Sequence, residues 1–320
     1  MILLNQIEKI YNKQVLTRFK DYGTVYYFSE KDFPGMKKIP FAFRGNTGQK
    51  LQGYFYSYDK PIANKLIIFD HGMGGGHRSY FREIETLAKK GYLVFSYDHT
   101  GCMESEGENT RGFAQSLNDL DCCVKALKKV DFLKGFDISV IGHSWGGFSS
   151  MNIPALHPEI SHVVAMSGFV NVSEMLKQIF FGVKKLYEHF YAIEEKNNPV
   201  FSKTDTVKSL KNTNTKVLII HSADDKTVNK RKHFDVMQKG LASNPNVEFM
   251  LLHGKNHNPN FTEFAVVYKD DFFKDLSAKL KKKELVTDEQ KKKFVASYDW
   301  WKMTAQDEKV WEKIFEFLES

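Results

Sequence analysis

Five residues, Gly142-His143-Ser144-Trp145-Gly146, set one serine between two glycines directly after the apolar run Ile138–Ile141. A serine on so tight a strand-to-helix turn needs small neighbours, because the backbone folds sharply and the helix packs close to the strand. The turn presents the hydroxyl at the top of a sheet and at the N-terminus of the following helix, where a developing oxyanion is favoured. Those are the requirements of a nucleophile in acyl transfer. A serine hydroxyl is a poor nucleophile alone: it needs a base, and the base needs a carboxylate to orient it. After a turn of this kind the acid and then the histidine follow later in the chain. Two stretches offer them: "HSADDKTV" after Ile220 and "HGKNH" after Leu252. The residue types leave Asp224 or Asp225 as the acid and His253 or His257 as the base. Glu174 is a more remote acid. His71, His77, His99, His143 and His221 also stand at loop starts and fit packing or hydrogen-bonding roles.

The elements that must position these residues are legible as alternation. A hairpin is expected near Phe41–Phe43 and "LQGYFYSY", with its turn at Gly45–Gly48. Short apolar runs at 65–69, 92–97, 138–141, 162–166, 216–220 and 247–252 read as buried strands. Residues 79–90 and 112–129 read as amphipathic helices; the second carries Phe113, Leu117, Leu120, Val124 and Leu127 on one face. Buried strands alternating with such helices predict an α/β fold, a mostly parallel central sheet covered by helices on both faces. Ligands of these sheets bind beyond the carboxyl ends of the strands, where the candidate residues lie.

Two segments interrupt the alternation. Residues 170–212 carry Leu176, Ile179, Phe180, Val183, Tyr187, Phe190 and Tyr191 at helical spacing, a stripe that either lines an acyl pocket or packs on a core. Residues 258–303 carry lysine runs at 281–283 and 291–293, read as solvated helix faces, and a final helix with Val310, Trp311, Ile314, Phe315 and Leu318 follows.

The 320 residues suit one large domain with insertions, 1–320, rather than two independent ones. The 46 Lys+Arg against 39 Asp+Glu give a net charge of +7, read as a solvated basic surface, since no nucleic-acid motif accompanies it. The three cysteines, Cys102, Cys122 and Cys123, do not make a disulfide framework or a metal cluster. Glu8 and Lys9 interrupt the apolar start, and no stretch approaches the roughly 18 apolar residues of a membrane span. The expectation is a cytoplasmic protein without stable membrane insertion.

On "DHGMGGGHRSY", "GYLVFSYDHTGCMESEG", "GHSWGG", "HSADDKTV" and "HGKNH" the chain resembles the α/β-hydrolase superfamily over roughly residues 50 to 260. It is most similar to the branch of serine aminopeptidase-like and monoacylglycerol lipase-like enzymes. The resemblance implies an α/β-hydrolase fold with a helical cap inserted at 170–212, and leaves 258–303 as a helical C-terminal insertion. It implies Ser144 as nucleophile, His257 as base, and Asp225, three residues before Val228, as acid. It also implies that the backbone N–H groups of Met73 and Trp145 form the oxyanion hole. The family's usual Arg-Gly-x-Gly-x-Ser is here Thr100-Gly101-Cys102-Met103-Glu104-Ser105. The implied activity is hydrolysis of a carboxylic ester with a small-molecule ester or acyl substrate, and no metal or organic cofactor. Peptidase or aminopeptidase, acyl thioesterase, and a non-catalytic binding protein on the same fold are the alternatives. Glu194 and Glu195 are the pair that would hold a peptide's amino terminus; an exposed acidic pair is the plainer reading.

Overall fold

The computed structural model describes residues 2–59 and 61–320. Eight strands form one sheet: β1 (Lys37–Arg44), β2 (Lys50–Ser57), β3 (Lys65–Asp70), β4 (Leu93–Tyr97), β5 (Asp137–His143), β6 (His162–Met166), β7 (Lys216–Ser222) and β8 (Val247–Leu252). Their order is β1-β2-β4-β3-β5-β6-β7-β8. β1 pairs antiparallel with β2 and β2 with β4; every later pairing is parallel. The interior strands carry apolar runs at their centres, as burial on both faces requires: Leu66, Ile68, Phe69, Val140, Ile141, Val163, Val164, Ile219 and Ile220 are all closed to solvent.

Among the described residues twelve α-helices accompany the strands: α1 (Ile2–Gln14), α2 (Phe81–Lys90), α3 (Gln115–Leu127), α4 (Trp145–Asn152), α5 (Val172–Ile179), α6 (Lys184–Asn197), α7 (Thr206–Leu210), α8 (Phe234–Gly240), α9 (Glu263–Lys281), α10 (Asp288–Ala296), α11 (Trp300–Met303) and α12 (Glu308–Leu318). On one face of the sheet α3, α4 and α8 bury Leu117, Leu120, Val124, Phe148 and Phe234 in one apolar cluster. On the other, α2 and α12 bury Phe81, Ile84, Leu87, Trp311 and Ile314 in a second. The mostly parallel two-faced sheet expected from the alternation is the one observed.

The two interrupting segments differ in how they pack. In α5 and α6 the apolar stripe faces inward: Leu176, Phe180 and Phe190 belong to the first cluster, and the Phe180 and Phe190 rings stack at 4.5 Å. That settles the stripe as chiefly a core face. Residues 258–303 build a small cluster of their own from Phe272, Leu276, Leu285, Phe294 and Met303. Among the described residues no helix is long and apolar enough to cross a membrane.

Candidate active site

Ser144 lies between the end of β5 and the start of α4 with φ 56° and ψ −109°, a conformation L-residues rarely adopt. The flanking glycines explain how the chain tolerates it. A Cβ on Gly146 would overlap the Asp70 carbonyl on the neighbouring strand β3, and a Cβ on Gly142 would overlap the Gly146 carbonyl. No residue with a side chain fits at either position without moving backbone. The Ser144 N–H donates to the Met166 carbonyl at 2.8 Å, which ties the turn to β6.

Asp225 and His257 come from the loops after β7 and β8. His257 Nδ1 stands 2.8 Å from Asp225 Oδ2. Asp225 is buried, and its other oxygen accepts the N–H groups of Thr227 at 2.8 Å and Val228 at 2.9 Å. Burial by itself would raise its carboxyl; the hydrogen bond and charge of His257 and the Val228 N–H outweigh that and hold it below the usual carboxylate range. Asp224 points elsewhere: it accepts the Ser222 hydroxyl at 2.6 Å and the Asn256 N–H at 3.2 Å, joining the two loops to each other. Glu174 sits in the first turn of α5 and pairs with Lys177 at 2.6 Å.

Ser144 Oγ makes no hydrogen bond to another described residue. Its neighbour His143 does reach the histidine loop. The His143 and His257 rings lie 4.8 Å apart, and His143 Nε2 is 2.6 Å from the His257 carbonyl. On the other side, Gly72 approaches so closely that a Cβ there would come within 3.3 Å of Ser144 Cβ. The N–H groups of Met73 and Trp145 have no hydrogen-bond partner among the described residues, so both are free to donate to a ligand.

Beneath the turn lies a buried ionic layer. His99 Nε2 is 3.0 Å from Asp70 and its Nδ1 3.3 Å from Asp119. Burial opposes the charge on this ring, but the two carboxylates win and push it up to about 9. The Trp145 ring packs on His99 at 4.7 Å and donates its indole N–H to the Phe113 carbonyl at 2.6 Å. The departure from the family's loop pattern is accommodated here. Thr100 donates its hydroxyl and its N–H to Asp119, each at 2.8 Å, and Met103 takes φ 39° where the usual glycine would cost nothing.

Two sites were not legible from spacing. Glu194 is neither an exposed acid nor a free receptor for an amine: it is 1 % exposed, and accepts the N–H groups of Phe113 at 2.8 Å and Ala114 at 3.3 Å and the Tyr11 hydroxyl at 3.0 Å. Burial pushes its carboxyl up to about 7. Glu195 pairs with Lys203 at 3.2 Å. The second is the His143–Tyr80 contact, whose partners are 63 residues apart. Only the polar character of His143 beside the serine hinted at it.

The family model for serine aminopeptidase, S33, matches residues 61–203. A monoglyceride lipase homologue of monkeypox virus is 31% identical over 124 residues, which cover 37% of this chain and 44% of that protein. A Pyrococcus furiosus esterase, Pf2001, superposes with a TM-score of 0.60 at 21% identity, covering 84% of this chain and 98% of the other. Est1E from Butyrivibrio proteoclasticus, solved with ferulic acid bound, gives a TM-score of 0.56 at 21% identity over 75% of this chain and 99% of that one.

Proposed function

We propose that the chain is a serine hydrolase of carboxylic esters, in the serine aminopeptidase-like and monoglyceride lipase-like branch of the α/β-hydrolase superfamily; its likeness to those proteins supports the reading. The observation that carries the reading is the strained Ser144 turn facing a loop in which His257 is held by Asp225.

Ser144 Oγ attacks the ester carbonyl while His257 Nε2 takes its proton. Asp225 holds the proton on Nδ1, so that Nε2 is the basic nitrogen, and stabilises the imidazolium that forms. The N–H groups of Met73 and Trp145 donate to the oxyanion of the tetrahedral intermediate. The proton passes from His257 to the departing alkoxide, leaving an acyl-serine and an alcohol. Water, deprotonated by His257, then attacks the acyl-serine and releases the acid and Ser144. The whole cycle uses side chains and backbone of this chain. Residues 170–212 act as a cap over this site within a single domain of 1–320, and 258–303 as a helical C-terminal insertion.

Ester hydrolysis is favoured over peptide hydrolysis by Glu194. Its oxygens are engaged by Tyr11, Phe113 and Ala114, so the acidic pair has no free buried carboxylate to bind a peptide's amine. The test is hydrolysis of p-nitrophenyl esters over a range of acyl lengths, with Ser144→Ala alongside. Turnover that falls to background in the variant supports the reading. Cleavage of aminoacyl amides without any ester turnover would replace it with a peptidase, and turnover that survives in Ser144→Ala would remove the nucleophile.

A further inference from the structure

One side chain beside the site has a geometry the catalytic cycle does not use. His143 is 4 % exposed and contacts polar groups at both ring nitrogens. Nε2 faces the His257 carbonyl at 2.6 Å, and a carbonyl only accepts, so Nε2 carries the hydrogen. Burial, with the nearby His257 and Lys269, holds this imidazole neutral, down to about 3. A neutral ring has one N–H, so Nδ1 must accept. The group in front of it is the Tyr80 hydroxyl at 2.8 Å, which therefore donates. Burial keeps that phenol protonated by raising it above its ordinary value. The Tyr80 oxygen also lies against the Gly72 backbone, so close that a Cβ on Gly72 would overlap it.

The direction of every hydrogen in this chain is thus determined. Tyr80 O–H donates to His143 Nδ1, and His143 Nε2–H to the His257 carbonyl. It starts on Tyr80, packed against Gly72, passes one residue before Ser144, and ends on His257 itself. Asp225 restrains the His257 ring at Nδ1, but a ring held at one atom can still swing with its backbone. The carbonyl bond removes that freedom.

We infer that His143 is a positioning residue for the reaction proposed above: it sets His257 in register with Ser144, and Tyr80 keeps its ring in the tautomer that can do so. The inference rests on the hydrolase reading, since it concerns the placing of that base. The titratable groups packed around His143 are few: Asp225 and His257 from the acid and base loops, Lys269 from α9, and Glu83 from α2 across the small cavity they share. None of these supplies a second donor to the His257 carbonyl among the described residues.

The test compares wild type, His143→Phe, His143→Gln and Tyr80→Phe with p-nitrophenyl acetate, reading kcat and KM separately. Melting temperature and the rate of labelling by a fluorophosphonate probe are read alongside. Phenylalanine keeps the ring volume and removes the donor. Glutamine restores an N–H near the Nε2 position. A misplaced base costs on the order of 100-fold, and loss of an outer hydrogen bond about 10-fold. The expected result is a fall in kcat of about 100-fold in His143→Phe with KM within about twofold, recovery of most of it in His143→Gln, and a fall of about 10-fold in Tyr80→Phe. Equal impairment of the Phe and Gln variants would indicate a purely steric role and overturn the inference, as would wild-type kcat in His143→Phe. Should His143→Phe not fold, Tyr80→Phe decides alone: a lowered kcat at constant KM supports the relay and an unchanged kcat overturns it. A wild-type protein that neither labels nor turns over would overturn the hydrolase reading, and this inference with it. Labelling that proceeds normally in every variant overturns the inference alone.

Discussion

The Ser144 turn and the segment 170–212 are built by opposite means. The turn is a local object. Gly142, Ser144 and Gly146 lie within five residues, and its shape follows from backbone that meets backbone with no room for a Cβ. The segment is a tertiary object. Glu194 is hydrogen-bonded to Phe113, 81 residues earlier, and to Tyr11, 183 residues earlier, and Phe190 stacks on Phe180 and packs at a tilt against Tyr11. The turn tolerates no added side-chain volume at its glycines and meets distant parts of the chain through their backbone, at the Asp70 and Met166 carbonyls. The segment is held by side chains, one of them a carboxyl buried at a cost. In the proposed reaction the chemistry is carried by the part whose geometry is least negotiable, while the segment held by side chains can be tuned by packing and by pH. Phe113 connects the two, since its N–H meets Glu194 and its carbonyl meets the Trp145 indole.

That contrast can be broken at either end. The largest effect belongs to the acid–base pair. Asp225→Asn preserves shape but lets the His257 ring take the wrong tautomer, and kcat should fall by about 10⁴-fold with a small change in Tm. A fall of less than about tenfold would mean that the 2.8 Å contact does not orient the base. Next is Phe190→Ala, which empties a fully buried site and should destabilise the protein by about 3–5 kcal/mol in chemical denaturation. Activity per folded molecule should change far less than in the aspartate variant.

Glu194→Gln sharpens the comparison through pH. The folded-state carboxyl, pushed up to about 7 from 4.5, binds its proton more tightly than in the unfolded chain. Wild-type stability therefore carries a contribution that is lost as pH rises from about 4.5 to about 7 and is constant above. Glutamine has no such proton. The variant should gain on wild type by on the order of 3 kcal/mol across that window, read as the difference between the two denaturation midpoints at each pH. A difference that does not move with pH would mean that the carboxyl ionises freely where it lies. The smallest effect is expected at Phe181, 92 % exposed at the tip between α5 and α6, where alanine should shift stability by no more than about 0.5 kcal/mol.

How far the sequence revealed this site depended on range. β3 to β8 and their helices were legible because buried parallel strands are continuous apolar runs bounded by turns. The turn at Ser144 was legible because its glycines are adjacent in sequence. Residue types left Asp224 and Asp225 equivalent; the family register preferred the second, and their surroundings differ in space, since Asp225 faces His257 while Asp224 caps the neighbouring loop. Glu194 and Glu195 looked like one acidic pair, yet one is buried on three donors and the other lies against Lys203. Tyr80 and His143 leave no local trace of their contact, because periodicity and spacing carry no information about side chains that meet 63 residues apart.

The central claim is that Ser144 is the activated nucleophile of an ester hydrolase. Its most direct test is exposure of the intact protein to a fluorophosphonate, followed by mass mapping of the modified peptide. The account predicts a single adduct on Ser144, formed faster in wild type than in His257→Gln and absent from Ser144→Ala. No adduct on wild type, or one on another serine at an undiminished rate in Ser144→Ala, would contradict it.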